Sequence, residues 1–100
     1  MTKVGEHITL DIIGTIKEYD PSVYERVIKE IANAAKVTIL NISKYKFEPQ
    51  GFTILALLAE SHISFHTFPE KGIISFDFFT CGKVSPSIAI DIIKNCLLYT

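Results

Sequence analysis

Between positions 60 and 81 the chain gathers a carboxylate, a hydroxyl, two imidazoles and a thiol: Glu60, Ser61, His62, His66 and Cys81. Groups of these types attack carbonyls and move protons near neutral pH, so nucleophilic and acid–base chemistry is the first thing to test for. They stand in LLAESHISFHTFPEKGIISFDFFTCG, residues 57–82, which otherwise reads as apolar strand. Pro69-Glu70-Lys71-Gly72 is a turn signal. Taken as a four-residue hairpin loop, it pairs Phe68 with Ile73, His66 with Ser75, Ser64 with Asp77, His62 with Phe79 and Glu60 with Cys81. One face then carries His62, Ser64, His66, Ser75, Asp77 and Cys81, and the other carries Ile63, Phe65, Ile74, Phe76 and Phe78. Solvation is the simplest account of the polar face, since antiparallel sheets commonly keep one wet side. Phe68, Ile73 and Phe79 share that face, however, and would be better covered, for instance by a second copy of the chain.

The elements that must position these groups follow from periodicity. His7–Ile13 alternates as a half-buried strand, with Ile8, Leu10 and Ile12 on one side. Asp20-Pro21 supplies a helix cap and a first-turn proline, and Val23, Val27, Ile28, Ile31 and Ala35 form one stripe, predicting a helix from about 20 to 35. Val37–Tyr45 reads as a second strand, ended by Pro49-Gln50-Gly51. Phe52–Ala59 continues through Ser61–Phe68 as one run, Ile73–Thr80 closes the hairpin, and Ser85-Pro86 precedes a last helix striped by Ala89, Ile92, Ile93 and Cys96. The order is β-α-β-β-β-α. Short turns make the sheet antiparallel, and both helices must cover its apolar face, giving an α+β layered fold.

Composition narrows the function. At 100 residues, 48% of them hydrophobic, the chain describes one compact domain over 1–100. Ten Lys and Arg against 11 Asp and Glu, with no run of like charge, leave no electrostatic footprint for nucleic acid or an anionic membrane. No apolar run approaches the roughly 20 residues that span a bilayer. The two cysteines, Cys81 and Cys96, lack metal-ligand spacing, so no metal is expected. Met1–Gly5 has no secretion-signal layout, which places the chain in a reducing cytoplasm with both thiols free.

AESHISFHTFPEKG followed by DFFTCG resembles the small prokaryote-type S-adenosylmethionine decarboxylases, pyruvoyl enzymes that cut themselves at a Glu-Ser bond. The resemblance extends over nearly the whole chain. Phe47, Pro49-Gln50-Gly51, Ala59-Glu60-Ser61-His62, His66-Thr67, Pro69-Glu70 and Thr80-Cys81-Gly82 all sit where that family's pattern would put them. It implies that Ser61 attacks the carbonyl of Glu60, and that loss of the Ser61 α-proton and β-elimination then break the chain. The products would be a β chain of residues 1–60 and an α chain of 61–100, the latter starting with a pyruvoyl group. That ketone would form a Schiff base with the substrate amine and act as electron sink for decarboxylation. By the same resemblance His66 takes the α-proton, Thr53 supports it, and Cys81 protonates the carbanion. Phe47 and Phe68 would flank adenine, where an aromatic ring also suits a sulfonium cation, and Glu70 would hold the ribose hydroxyls. His62 has no family role and reads as solvated or structural; Asp77 is similarly open. The product would be decarboxylated S-adenosylmethionine, the aminopropyl donor for spermidine in polyamine biosynthesis.

Ser61 and His66 are five residues apart, about 17 Å on one extended strand. Either that strand folds back sharply or the histidine serves another chain. The expectation is a homodimer with shared sites, each built from Ser61 and Cys81 of one chain and Phe47, Thr53, His66, Phe68 and Glu70 of the other. This agrees with the α/β/β/α four-layer pairing that the family implies. Some positions depart from the family pattern: Phe68 stands where many relatives carry tryptophan, Ile54 where glycine is common, and Lys71 where an aromatic is frequent, and the chain ends at Thr100 without the final strand many relatives have. These leave the self-cleavage set intact but bear on substrate choice. A pyruvoyl decarboxylase of arginine or ornithine, and an uncleaved binding or regulatory homologue, are therefore the alternatives.

Overall fold

The computed structural model describes residues 4–14, 16–81 and 84–98; Gly82 and Thr100, named above, lie outside them. Alternating apolar residues build five strands and two striped segments build helices, in the order β1 (Glu6–Ile13), α1 (Pro21–Ala35), β2 (Ile39–Lys46), β3 (Phe52–Leu58), β4 (Ser61–Phe68), a 3-10 turn (Pro69–Lys71), β5 (Ile73–Thr80) and α2 (Ile88–Leu97). The strands form one sheet in the order β1-β5-β4-β3-β2, antiparallel throughout.

The α+β class and the helix-covered face stand, but the order β-α-β-β-β-α is one strand short. The 52–68 run is two strands that fold back through Ala59 and Glu60, with Leu58 opposite Ser61. Neither residue is a turn former, and Glu60 has φ +63°, the left-handed region that favours glycine. The Ala59 N–H donates to the Thr38 carbonyl at 3.0 Å, tying this turn to the chain entering β2. The other turn is as expected: Gly72 closes it at φ +66°, and Phe68 faces Ile73, His66 faces Ser75, Ser64 faces Asp77 and His62 faces Phe79.

Helix α1 starts where the Asp20 carboxylate accepts the Ser22 N–H at 3.0 Å, and it ends at Lys36, whose N–H bonds back to the Ala32 and Asn33 carbonyls. Its buried stripe is Tyr24, Val27, Ile28, Ile31, Ala32 and Ala35, wider than the expected stripe, with Val23 only partly buried. Tyr24 is fully buried, its ring edge-on to Phe52 and Phe65 and its hydroxyl donating to the Glu18 carbonyl at 2.7 Å. Helix α2 begins after Ser87, which makes no side-chain cap, and contributes Ala89, Ile93 and Leu97. These pack with Ile54, Ala56, Ile63, Phe65, Ile74, Phe76 and Phe78 in one core on the helix-covered face. Each fully buried side chain of this size contributes about 1.5–3 kcal/mol. No helix among the described residues is long and apolar enough to cross a membrane.

The open face is neither uniformly wet nor apolar. It exposes Leu55, Leu57, Phe68 and Tyr45 around the polar groups of β4 and β5.

Candidate active site

The expected residues fall into two separate cavities. The first, about 310 Å³, is lined by Phe47, Gln50, Thr53, His66, Thr67, Phe68 and Glu70. It holds every residue expected to be lent to a second copy, and it adds Gln50, from the Pro49-Gln50-Gly51 signal, and Thr67. Thr53 and His66 are direct cross-strand partners, and Thr53 Oγ1 lies 2.9 Å from His66 Nδ1. A hydroxyl donating to Nδ1 leaves Nε2 as the protonated nitrogen of a neutral ring, while a ring with Nδ1–H would have Nε2 available as a base.

The walls of this cavity are aromatic and acidic. Tyr45 packs against Phe47 at 5.0 Å between ring centres, and the Lys71 ammonium lies 6.0 Å from the centre of the Phe68 ring. Lys71, which replaces a commoner aromatic, thus already contacts the ring expected to hold a base. Glu70 sits in the turn, exposed, and its charge reaches Tyr19, whose phenol is pushed up by burial first and by Glu70 second.

The second cavity, about 220 Å³, lies at the end of the sheet and is lined by Lys36, Val37, Thr38, Ala59, Glu60, Ser61 and Cys81. The register that put Glu60 across from Cys81 therefore brings both to one wall, with Ser61 beside them. Cys81 is an exposed thiol. Ser61 is only 6% exposed, and its Oγ is buried with no hydrogen-bond partner among the described residues. A buried hydroxyl left unpaired costs about 1–3 kcal/mol, so this group has been placed there against its own solvation. Lys36 and Thr38 carry no motif. They enter this cavity because α1 ends in a left-handed lysine directly before β2.

The structure does not unite Ser61 with His66. Both belong to β4, which runs extended between them, and an odd separation puts them on opposite faces: Ser61 toward the helices, His66 on the open side. The fold-back allowed for in the sequence occurs before Ser61, not between the two residues.

Elsewhere on the open face, Asp77 accepts hydrogen bonds from Ser64 at Oδ1 and from His7 and His62 at Oδ2, the last two at 2.9 and 3.1 Å. Partial burial pushes the Asp77 carboxyl up, but the bonds from Ser64, His7 and His62 outweigh it and hold the group below the usual carboxylate range. His62 thus bonds to Asp77 while staying partly exposed, which leaves its two sequence readings open, and His7 is an unexpected partner.

Known proteins place the two cavities in context. The family model described as S-adenosylmethionine decarboxylase matches residues 6–99. An S-adenosylmethionine decarboxylase proenzyme of Brevibacillus brevis is 40% identical over 96 residues, covering 93% of this chain and 72% of that protein. One from Methanococcus vannielii is 41% identical over 100 residues, covering 97% and 82%. The crystal structure of the adenosylmethionine decarboxylase from Aquifex aeolicus superposes with a TM-score of 0.80 at 31% identity, covering 97% of this chain and 82% of that one.

Proposed function

The chain belongs to the S-adenosylmethionine decarboxylase family, and from that premise we propose that it cuts itself between Glu60 and Ser61 and then decarboxylates S-adenosylmethionine in a reaction that serves polyamine biosynthesis. The observation that carries the proposal is the Ser61 hydroxyl, buried without a hydrogen-bond partner among the described residues and directly after a residue at φ +63°. A hydroxyl with no competing partner is free to attack the preceding carbonyl.

In that attack Ser61 Oγ bonds to the Glu60 carbonyl carbon, the peptide C–N bond breaks, and the hydroxyl proton passes to the released amine, leaving an ester. Removal of the Ser61 α-proton then expels the Glu60 carboxylate from Cβ and separates residues 1–60 from 61–100. Addition of water to the resulting dehydroalanine releases ammonia and leaves a pyruvoyl group at position 61. The buried, unpartnered Ser61 fits such a precursor, and the pyruvoyl ketone supplies an electron sink for an amine-bearing substrate that loses carbon dioxide.

The remaining roles are those the family resemblance implies, and the placement of the residues supports them. Cys81 shares the Ser61 cavity and is the proton donor to the substrate carbon, a task for which thiols, with an ordinary pKa near 8.5, are suited. His66, steadied by Thr53, takes the α-proton of Ser61 in a second copy of the chain. Ser61 Oγ is turned toward the helices, so a base approaching from the open side meets the backbone Cα rather than the hydroxyl. Phe47 and Phe68 offer aromatic walls to adenine and to the sulfonium charge, and Glu70 offers a carboxylate to ribose hydroxyls. The exposed Leu55, Leu57, Phe68 and Tyr45 support a homodimer joined through the open faces as an α/β/β/α sandwich, working in the cytoplasm.

Denaturing mass spectrometry of the purified protein tests the first half of the proposal: fragments of 1–60 and 61–100 are expected, and Ser61→Ala leaves one intact chain. Carbon dioxide release tests the second. S-adenosylmethionine is the expected substrate, and Cys81→Ala permits cutting but lowers turnover by about 10²–10⁴-fold, the usual contribution of a positioned proton donor. A chain that stays whole on long incubation overturns self-processing. Release from arginine or ornithine alone overturns the substrate.

A further inference from the structure

We propose that His7, His62 and Asp77 form a binding site for one divalent transition-metal ion of the zinc, cobalt and nickel type, on the open face, from residues that line neither of the two cavities described above, although Asp77 shares a further cavity with His66. The three residues come from β1, β4 and β5, neighbours in the sheet. His7 and His62 both lie directly across from Phe79, one on each side, and Asp77 is the next residue of β5 on that face. Two imidazoles are thereby aimed at one carboxylate from opposite flanks.

The geometry is close to that of a ligand set. Nε2 of His7 and Nε2 of His62 lie 2.9 and 3.1 Å from the same oxygen, Asp77 Oδ2, and the three candidate ligand atoms are all within 4.8 Å of one another. A tetrahedral ion with bonds of about 2.0–2.1 Å sets its ligand atoms about 3.3 Å apart. Both nitrogen–oxygen separations are within a few tenths of an ångström of that value. Binding must open these two slightly and bring all three atoms, now within 4.8 Å of one another, to that spacing. His62 is further fixed by stacking on Phe79, with ring centres 6.1 Å apart and an interplanar angle of 21°.

The surroundings are those of a metal centre. Ser64 donates its hydroxyl to Asp77 Oδ1, which leaves Oδ2 as the ligand atom and orients it, as outer partners of metal-bound carboxylates do. The His7, His62 and Asp77 side chains are 46%, 39% and 27% exposed in the single chain, and a dimer joined through the open faces would enclose an ion held there. Two imidazole nitrogens and one carboxylate favour zinc, cobalt or nickel over magnesium or calcium, which seek oxygen shells. In the metal-free state both Nε2 atoms donate to Asp77 and must carry hydrogen. To bind an ion each ring passes, by proton exchange with solvent, to the neutral Nδ1–H tautomer, which frees the Nε2 lone pair; the ion then ties the edge strand β1 to β5 and β4.

The test uses tag-free, chelator-stripped protein titrated with Co²⁺ and followed by visible absorption, with Zn²⁺ calorimetry alongside. Expected are one ion per chain, a raised Tm with Zn²⁺, and no response to Mg²⁺. His7→Gln, on an exposed edge strand, and Asp77→Asn each weaken binding more than about 100-fold, and Ser64→Ala weakens it about 10–100-fold, the usual effect of losing an outer partner. Circular dichroism on each variant verifies folding, and His66→Ala binds as the parent does. No saturable cobalt spectrum at one equivalent, or unchanged affinity in folded His7→Gln, overturns the proposal. So does a thiolate–cobalt charge-transfer band that vanishes in Cys81→Ser, since the ion would then belong to the active-site thiol.

Discussion

A mixture of two inactive chains should recover self-cleavage if His66 serves another chain's Ser61. Within one chain the two residues are separated by five positions of extended β4, about 17 Å, and they face opposite sides of the sheet. His66 is also held to its own neighbour Thr53 at 2.9 Å, and Ser61 lies in a different cavity. Bringing them together inside one chain would require β4 to leave the centre of the sheet, between β3 and β5. Ser61→Ala cannot be cut but keeps its histidine; His66→Ala keeps the scissile serine but loses the base.

Co-expressed in equal amounts and paired at random, the two variants form about half mixed dimers by the statistics of a two-fold assembly. In each mixed dimer one composite site is intact and the other has lost both residues. About a quarter of all chains should therefore be cut, all of them His66→Ala chains. His66→Ala alone should be slower than the parent by about 10²–10⁴-fold, the usual worth of a general base. Denaturing mass spectrometry distinguishes the chains by the substitution masses and counts fragments 1–60 and 61–100. If the mixture is cut no faster than His66→Ala alone, the shared site is refuted. If His66→Ala alone is cut at the parental rate, the role of the histidine is refuted.

Three further outcomes follow from single contacts. Thr53→Val removes the hydroxyl beside His66 Nδ1 while keeping a β-branched shape, and should slow cleavage by about 5–10-fold, the worth of roughly 1 kcal/mol, with Thr53→Ser restoring it in the same mass assay. Cys96 donates toward Glu30 at 3.4 Å, and its thiol is pushed up by burial first and then by Glu30; it has less thiolate at neutral pH than an ordinary cysteine, so in uncut Ser61→Ala protein alkylation should mark exposed Cys81 first and reach Cys96 faster as pH rises. Tyr24→Phe removes the donor to the Glu18 carbonyl and should lower unfolding free energy by about 1 kcal/mol in urea titrations, with little change in m-value. Burial first, and then the charges of Tyr19 and Glu18, push the Tyr24 phenol upward, so the hydroxyl keeps its proton in that assay.

The hairpin register was legible because two alternating strands and a Pro–Gly turn constrain one another: a slip of one residue would have turned Phe65 and Phe76 out of the core. The break before Ser61 was not legible, because Ala59-Glu60 lacks the glycine, asparagine or aspartate that marks tight hairpins. Tertiary anchoring to Thr38 makes that turn instead. The first cavity could be read from the motif, but Lys36 and Thr38 could not, since nothing local says that the end of α1 meets the start of β4. His7 was hidden for a related reason. Its partners are 55 and 70 positions away, and no turn in the sequence pins β1 against β5.

The turn that sequence reasoning missed also bears on how self-cleavage is driven. Glu60 in the left-handed region costs about 1–2 kcal/mol relative to a glycine there, and breaking the bond after it releases that constraint. Since 1.36 kcal/mol is a factor of ten in rate, strain accounts for about one and a half orders of magnitude at most. A positioned base is worth about 10²–10⁴, and fixing a nucleophile against its target carbonyl can be worth more still. On the proposed mechanism the Ser61 hydroxyl and an imidazole from a second copy would therefore outweigh the strained turn. The turn's larger contribution is geometric: it stops β3 at Leu58 and starts β4 at Ser61, so the scissile bond lies at the sheet's end beside Cys81 instead of inside a continuous strand.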